Sequence, residues 1–210
     1  MGPPNVLFLL LAVAALLHAS SGSLVLPGDG PVLAAPAAPA PGKAVPVPAA
    51  TPQETLLASR RLAVPVEGVK ASQLRDTFHD KRSRGRAHEA IDIMAPWGRP
   101  VLAADDGTIA RITSNRGGGL TLYQLDASGK LVYYYAHLGG YADGLKEGQK
   151  VRRGEVIAYV GATGNAPATA PHLHFAVLLL SGEKKWWGGE ALNPYPALVA
   201  GEGTAVAGVR

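Results

Sequence analysis

Short alternating apolar runs, each cut off by a turn signal, constrain this chain more than any other feature. HEAIDIMA, RPVLAADDGTIARI, LTLYQLD, LVYYYAHL, EVIAYVG and HLHFAVLL follow one another from residue 88 to residue 179. Between them lie NRGGG (115–119), DASGK (126–130) and EGQKVRRGE (147–155), which are rich in Gly or charge. Side chains alternate across a strand, so such runs bury one face and expose the other. Strands this short, with closely spaced turns, predict a mainly β fold: a small antiparallel sheet or sandwich. Inside this region no helical period persists beyond about two turns.

The flanks are of different character. Val6 to Leu17 is one apolar run, too short to cross a bilayer comfortably, and small residues follow it from His18 to Ser23. Residues 1–23 therefore predict a secretory signal peptide, or an N-terminal anchor if uncleaved, since residues 2–5 carry no Lys or Arg. Either form predicts an exported, periplasmic or envelope-associated protein. Residues 24–61 are expected to form a Pro/Ala-rich linker, with Leu26 to Pro52 favouring extended polyproline II and a short helix expected around Glu54 to Arg61. The folded domain is expected over 62–196 and a flexible tail over 197–210.

The chain has no cysteine, so a metal would have to be held by histidine and carboxylate. Its net charge of +4 is mild, and no basic run is interleaved with aromatics, which weighs against nucleic acid as a partner. His88 and Asp92 are four apart in a segment expected to be extended, which would place them on one face. Alone, the pair also fits a surface histidine and an aspartate in a turn. His172 and His174 alternate with Leu173 and Phe175, so they share a face opposite an apolar one. His137, in YYYAHL, has the strand parity of Tyr133 and Tyr135.

The series His88-x-x-x-Asp92, then His137 in YAHL, then His172-x-His174 resembles the lysostaphin-like, LytM-type zinc endopeptidases. The likeness runs from about Thr77 to Pro196, through FHDKRSRGRAHEAIDIMAPWGRPVLAADDGTIARI, GQKVRRGEVIAYVGATGNAPATAPHLHFAV and NPYP. The resemblance implies one Zn2+ held by His88, Asp92 and His174, with His137 and His172 as catalytic histidines beside the metal-bound water. It implies a β-sheet domain with the metal in a groove, and peptidoglycan as the partner cleaved. Ala90 stands where the family often has Gly. Some relatives have lost metal ligands and regulate other wall hydrolases; here all five positions are filled, which favours an enzyme. The hairpin rhythm of GQKVRRGEVIAYVG also resembles lipoyl carriers, but no exposed hairpin-tip lysine stands out for attachment. Glu89 is expected at the rim, facing away from His88, and His79 in the loop before the site. Arg86 is a surface residue or a binder of substrate carboxylate, and Trp186 and Trp187 line or edge the groove.

Overall fold

The computed structural model describes residues 51–82, 85–182 and 188–201. The N-terminal apolar run, most of the Pro/Ala segment, Trp186 and Trp187 lie outside the described residues. Within them no helix is long and apolar enough to cross a membrane.

The described residues form nine strands: β1 (Ile91–Met94), β2 (Pro100–Leu102), β3 (Gly107–Asn115), β4 (Gly119–Asp126), β5 (Leu131–Tyr141), β6 (Lys150–Val151), β7 (Val156–Val160), β8 (His172–Leu179) and β9 (Glu190–Leu192). They form one antiparallel sheet whose main path is β1-β8-β5-β4-β3-β6, so the mainly β expectation holds. The run 99–112 divides into β2 and β3 around the Ala103–Asp106 corner. β5 changes partner along its length: Leu131 to Ala136 pair with β8, and Leu138 to Tyr141 pair with β7.

Pleating sorts the central strands into two faces. Ile91 pairs with Phe175 and Phe175 with Tyr135, and all three are fully buried. Ile93, Leu173, Tyr133 and Val177 continue the same core. The phenol of Tyr135 is satisfied inside it, donating to Gln124 Oε1 at 2.7 Å and accepting from Ala104 N at 2.9 Å. Burial of this kind drives both tyrosine pKa values up, and the phenols act as neutral hydrogen-bonding groups.

The packed region reaches past both expected domain edges. Helix α1 (Pro52–Ala58) lies inside the stretch expected to be linker, and begins before the expected Glu54. Its Leu57 is 1% exposed and belongs to the main core. Helix α2 (Tyr195–Gly201) extends into the expected tail and buries Ala197, Leu198 and Gly201. The composition of these flanks is that of spacers, but a single apolar side chain per turn is enough to dock a two-turn helix. Beyond α1, Arg60 reaches back to the buried Asp126 at 2.6 Å. Asp126 also accepts from Ser128 Oγ and from the backbone N–H groups of Lys130 and Leu131, closing the β4–β5 turn. Burial works against its ionisation, but these donors and Arg60 prevail and lower its pKa.

If α1 is part of the fold, truncating its anchor costs what a core leucine costs. Leu57→Ala should lower unfolding free energy by about 2–5 kcal/mol in denaturant titration. An unchanged midpoint would show that α1 is a passive spacer.

Candidate functional site

The face opposite the core carries the polar residues, and the pairing register brings them side by side. Asp92 on β1 pairs with His174 on β8, and His174 with Ala136 on β5. Paired residues on one face have Cβ atoms about 5 Å apart, so the carboxylate and the imidazole meet without any loop. His174 Nδ1 lies 3.1 Å from Asp92 Oδ1. His172, two residues back on the same face, places Nε2 3.8 Å from that same oxygen.

His88 arrives differently. The shared-strand argument does not describe it, because β1 starts only at Ile91 and Glu89 is left-handed at φ 58. The chain turns at Glu89, leaving that residue exposed and swinging His88 Nε2 to 3.0 Å from both Asp92 Oδ1 and His174 Nδ1. Thr77 holds the arc from beneath. Its carbonyl lies 3.0 Å from His88 Nδ1, and its hydroxyl accepts from Asp92 N at 3.1 Å. Ala90 is fully buried, and the left-handed residue is its neighbour, so alanine fits there without strain.

His137 departs from expectation more instructively. It does not share a face with Tyr133 and Tyr135. Between the pairs Leu122↔Tyr135 and Leu120↔Leu138, β5 has two residues where β4 has one, which is a β-bulge. His137 occupies it in the left-handed conformation, φ 59. The extra residue reverses the parity, so His137 joins Tyr134 and Ala136 on the site face and lines the same cavity. Its backbone N–H donates to Gly118 O at 2.7 Å and its Nδ1 sits 2.8 Å from Thr163 O.

That carbonyl is delivered by a tight crossing of the 115–119 turn with residues 163–164. A Cβ on Gly119 would lie 2.1 Å from Thr163 Oγ1, and one on Gly164 would lie 2.3 Å from Gly119 N. No other residue fits at either position. His172 is anchored in parallel fashion, its Nδ1 2.9 Å from Ala170 O. A carbonyl at Nδ1 fixes the ring proton there and leaves Nε2 as the basic nitrogen.

The electrostatics follow from the crowding. Burial opposes ionisation of Asp92, yet hydrogen bonds from His174 and His88, the charge of His88 and a hydrogen bond from Arg82 hold its carboxyl well below the usual range. Burial lowers the pKa of His137, the Thr163 carbonyl opposes this, and the nearby His172 and His174 lower it further. His137 is therefore neutral near pH 7.

Three atoms from His88, Asp92 and His174 converge with edges of 3.0, 3.0 and 3.1 Å. These are the residues in the described structure that group as a metal-type cluster. A tetrahedral zinc with bonds of about 2.0–2.1 Å needs ligand edges of roughly 3.3 Å, so the triangle accepts such an ion after slight spreading. The donor set of two imidazoles and one carboxylate also suits zinc. A cavity of about 490 Å³ opens over the triangle, with Arg82, Arg86, Tyr134, His137 and Asn165 among its lining residues. Glu89 and His79 are exposed and do not line it, whereas Arg86 does. Sequence reasoning missed Arg82, which pairs with Asp92 Oδ2, and both threonine carbonyls. These contacts bridge 10, 11 and 26 residues without a periodic signature.

A groove on an antiparallel sheet, with a His/Asp/His triangle and two more anchored imidazoles, defines a metal-site class found among peptidases. Residues 86–194 match Peptidase family M23, and since they make up more than half of the chain, the chain belongs to that family. It is 38% identical over 135 residues to an L-Ala–D-Glu endopeptidase of Bacillus subtilis, covering 61% of this chain and 40% of that protein. Among solved structures it is similar to the antimicrobial peptidase lysostaphin of Staphylococcus simulans, at TM-score 0.51 and 31% identity, covering 64% of this chain and 52% of that one. A LytM protein of Ruminococcus gnavus matches at TM-score 0.54 and 27% identity, covering 68% and 59%. The first curated relatives are longer proteins, of which this chain spans 40% or less.

The left-handed backbone at His137 has a measurable cost. Asparagine tolerates φ > 0 and a β-branched residue does not. His137→Val should therefore be less stable than His137→Asn by about 1–3 kcal/mol in thermal or chemical unfolding. Equal stabilities would mean that position 137 is not left-handed in solution.

Proposed function

We propose that the chain is an exported zinc endopeptidase that hydrolyses peptide bonds in peptidoglycan. The triangle of His88, Asp92 and His174 beneath an open cavity carries this reading. The relatives support it, since those named include an L-Ala–D-Glu endopeptidase and a peptidoglycan DD-endopeptidase. His88, Asp92 and His174, which all line the cavity, would hold the ion.

Zinc bound there supplies a Lewis acid and brings the pKa of a coordinated water towards about 7. The remaining work falls to the chain's own side chains. His137 and His172 each carry their proton on Nδ1, tied to a carbonyl, and present Nε2 as the exchanging atom. One takes the proton as water oxygen bonds to the scissile carbonyl carbon. A proton then passes to the leaving amine as the C–N bond breaks. Their ring centroids are 4.9 Å apart, so both can reach a single reacting centre. The apolar run at residues 6–17 supports export, and N-terminal sequencing of secreted protein should find a start near residues 19–23. A start at Met1 would instead support an anchor.

Metal binding and catalysis separate in one set of variants. His174→Ala should lose stoichiometric zinc by elemental analysis. His137→Asn and His172→Asn should keep zinc and a near-native melt, while peptidoglycan digestion, followed by mass spectrometry of the products, slows by roughly 10²- to 10⁴-fold. The double variant should be little slower than the poorer single one, because both act on one proton path. Wild-type protein that binds zinc but releases no peptide products would favour a silent wall-binding regulator. Full activity in both asparagine variants would remove these histidines from the mechanism.

A further inference from the structure

Arg82 touches the metal-type cluster, and the relation is one-sided. Asp92 turns Oδ1 to His88 Nε2 at 3.0 Å and to His174 Nδ1 at 3.1 Å. Its other oxygen, Oδ2, is engaged by Arg82 Nη2. Among the described residues that line the cavity, Asp92 is the one carboxylate.

The backbone at Arg82 is set by a short antiparallel pairing. Lys81 bridges to Ala87, and Arg82 N donates to Arg86 O at 2.8 Å. This pairing stands directly before His88 in the chain, so Arg82 is held close in sequence to one of the donors. The Arg82 side chain is 43% exposed, and an ion pair so open to water adds little to stability. What it does provide is direction, because a guanidinium fork holds a carboxylate oxygen in a defined geometry.

We propose that Arg82 is a positioning residue for the metal site: by occupying Oδ2 of Asp92, it restricts that carboxylate to a single donor oxygen. The inference rests on the metal-binding reading of His88, Asp92 and His174. A carboxylate free at both oxygens can bind an ion with both of them, and the second would fill the position that water or substrate needs. With Oδ2 engaged, three protein atoms remain as donors, the number that characterises open catalytic zinc sites. Partners of ligating groups typically change metal affinity by about 10- to 100-fold when removed.

The test uses the full chain loaded with Zn2+ or Co2+, comparing wild type, Arg82→Gln and Arg82→Lys. Chelator competition should show the zinc affinity of R82Q shifted by about 10- to 100-fold. The visible bands of its cobalt form should weaken, because four-coordinate cobalt absorbs strongly and higher coordination numbers absorb weakly. R82K keeps a positive donor without the fork and should fall between. A purely structural role would lower the melting temperature and leave the cobalt bands alone. R82Q with wild-type affinity and wild-type bands overturns the proposal. So does a shifted affinity with unchanged bands, since Arg82 would then act without setting the number of donor oxygens. Wild-type protein that takes up neither ion defeats the metal-site reading itself, an outcome distinct from both.

Discussion

The register between β1, β8 and β5 is the constraint on which the rest of the structure depends. Ile91, Phe175 and Tyr135 lie in one row on the buried face, and Asp92, His174 and Ala136 form the next row on the open face. A slip of one residue on any strand would send its polar set into the core and its apolar set into the groove. Burial of the tyrosine, phenylalanine and isoleucine side chains therefore fixes the positions of the polar groups on the other face. The site has no register of its own; it inherits that of the core.

A second layer, made of backbone carbonyls, finishes what the register begins. Strand pairing places an imidazole to within the freedom of its two side-chain torsions. Thr77 O, Ala170 O and Thr163 O each take one ring nitrogen of His88, His172 and His137, which removes that freedom. Thr77 O comes from the segment before β1, Thr163 O and Ala170 O both come from the β7–β8 connection, and each leaves the opposite ring nitrogen available. The glycines at 119 and 164 matter for this reason. They let two backbone segments approach closely enough for Thr163 O to reach His137.

The legible part of the sequence was the part that obeys simple periodicity. HLHF at the start of HLHFAVLL alternates polar and apolar residues, and β8 spans the whole run with both histidines on one face. Strands β4, β5 and β7 were equally plain. Parity failed where the backbone leaves the β region, at Glu89 and at His137, because no residue-type signal marks a left-handed non-glycine residue. The resemblance to a known family grouped those histidines with Asp92 and His174, and all of them line one cavity. The helical flanks were hidden by composition. Pro and Ala around Leu57, and Ala, Val and Gly beyond Leu198, read as spacer, although each segment buries an apolar residue against the core. Arg82 was illegible, because its partner is set by tertiary approach.

The bulge at His137 connects these threads. A regular β5 would have kept that position in the row of Tyr133 and Tyr135, where an imidazole would be buried among apolar side chains without a partner, a costly arrangement. The extra residue turns the ring to the open face at the expense of a left-handed backbone. It sits at the point where β5 exchanges β8 for β7 as its neighbour. The same irregularity thus ends one pairing, starts another and aims a side chain, which is the use that bulges beside functional sites commonly have. Strain placed at this junction is held by ladders on both sides, His137 N on Gly118 O and Leu138 paired with Val160. A left-handed histidine persists here because the paired strands before and after it leave the chain no other path.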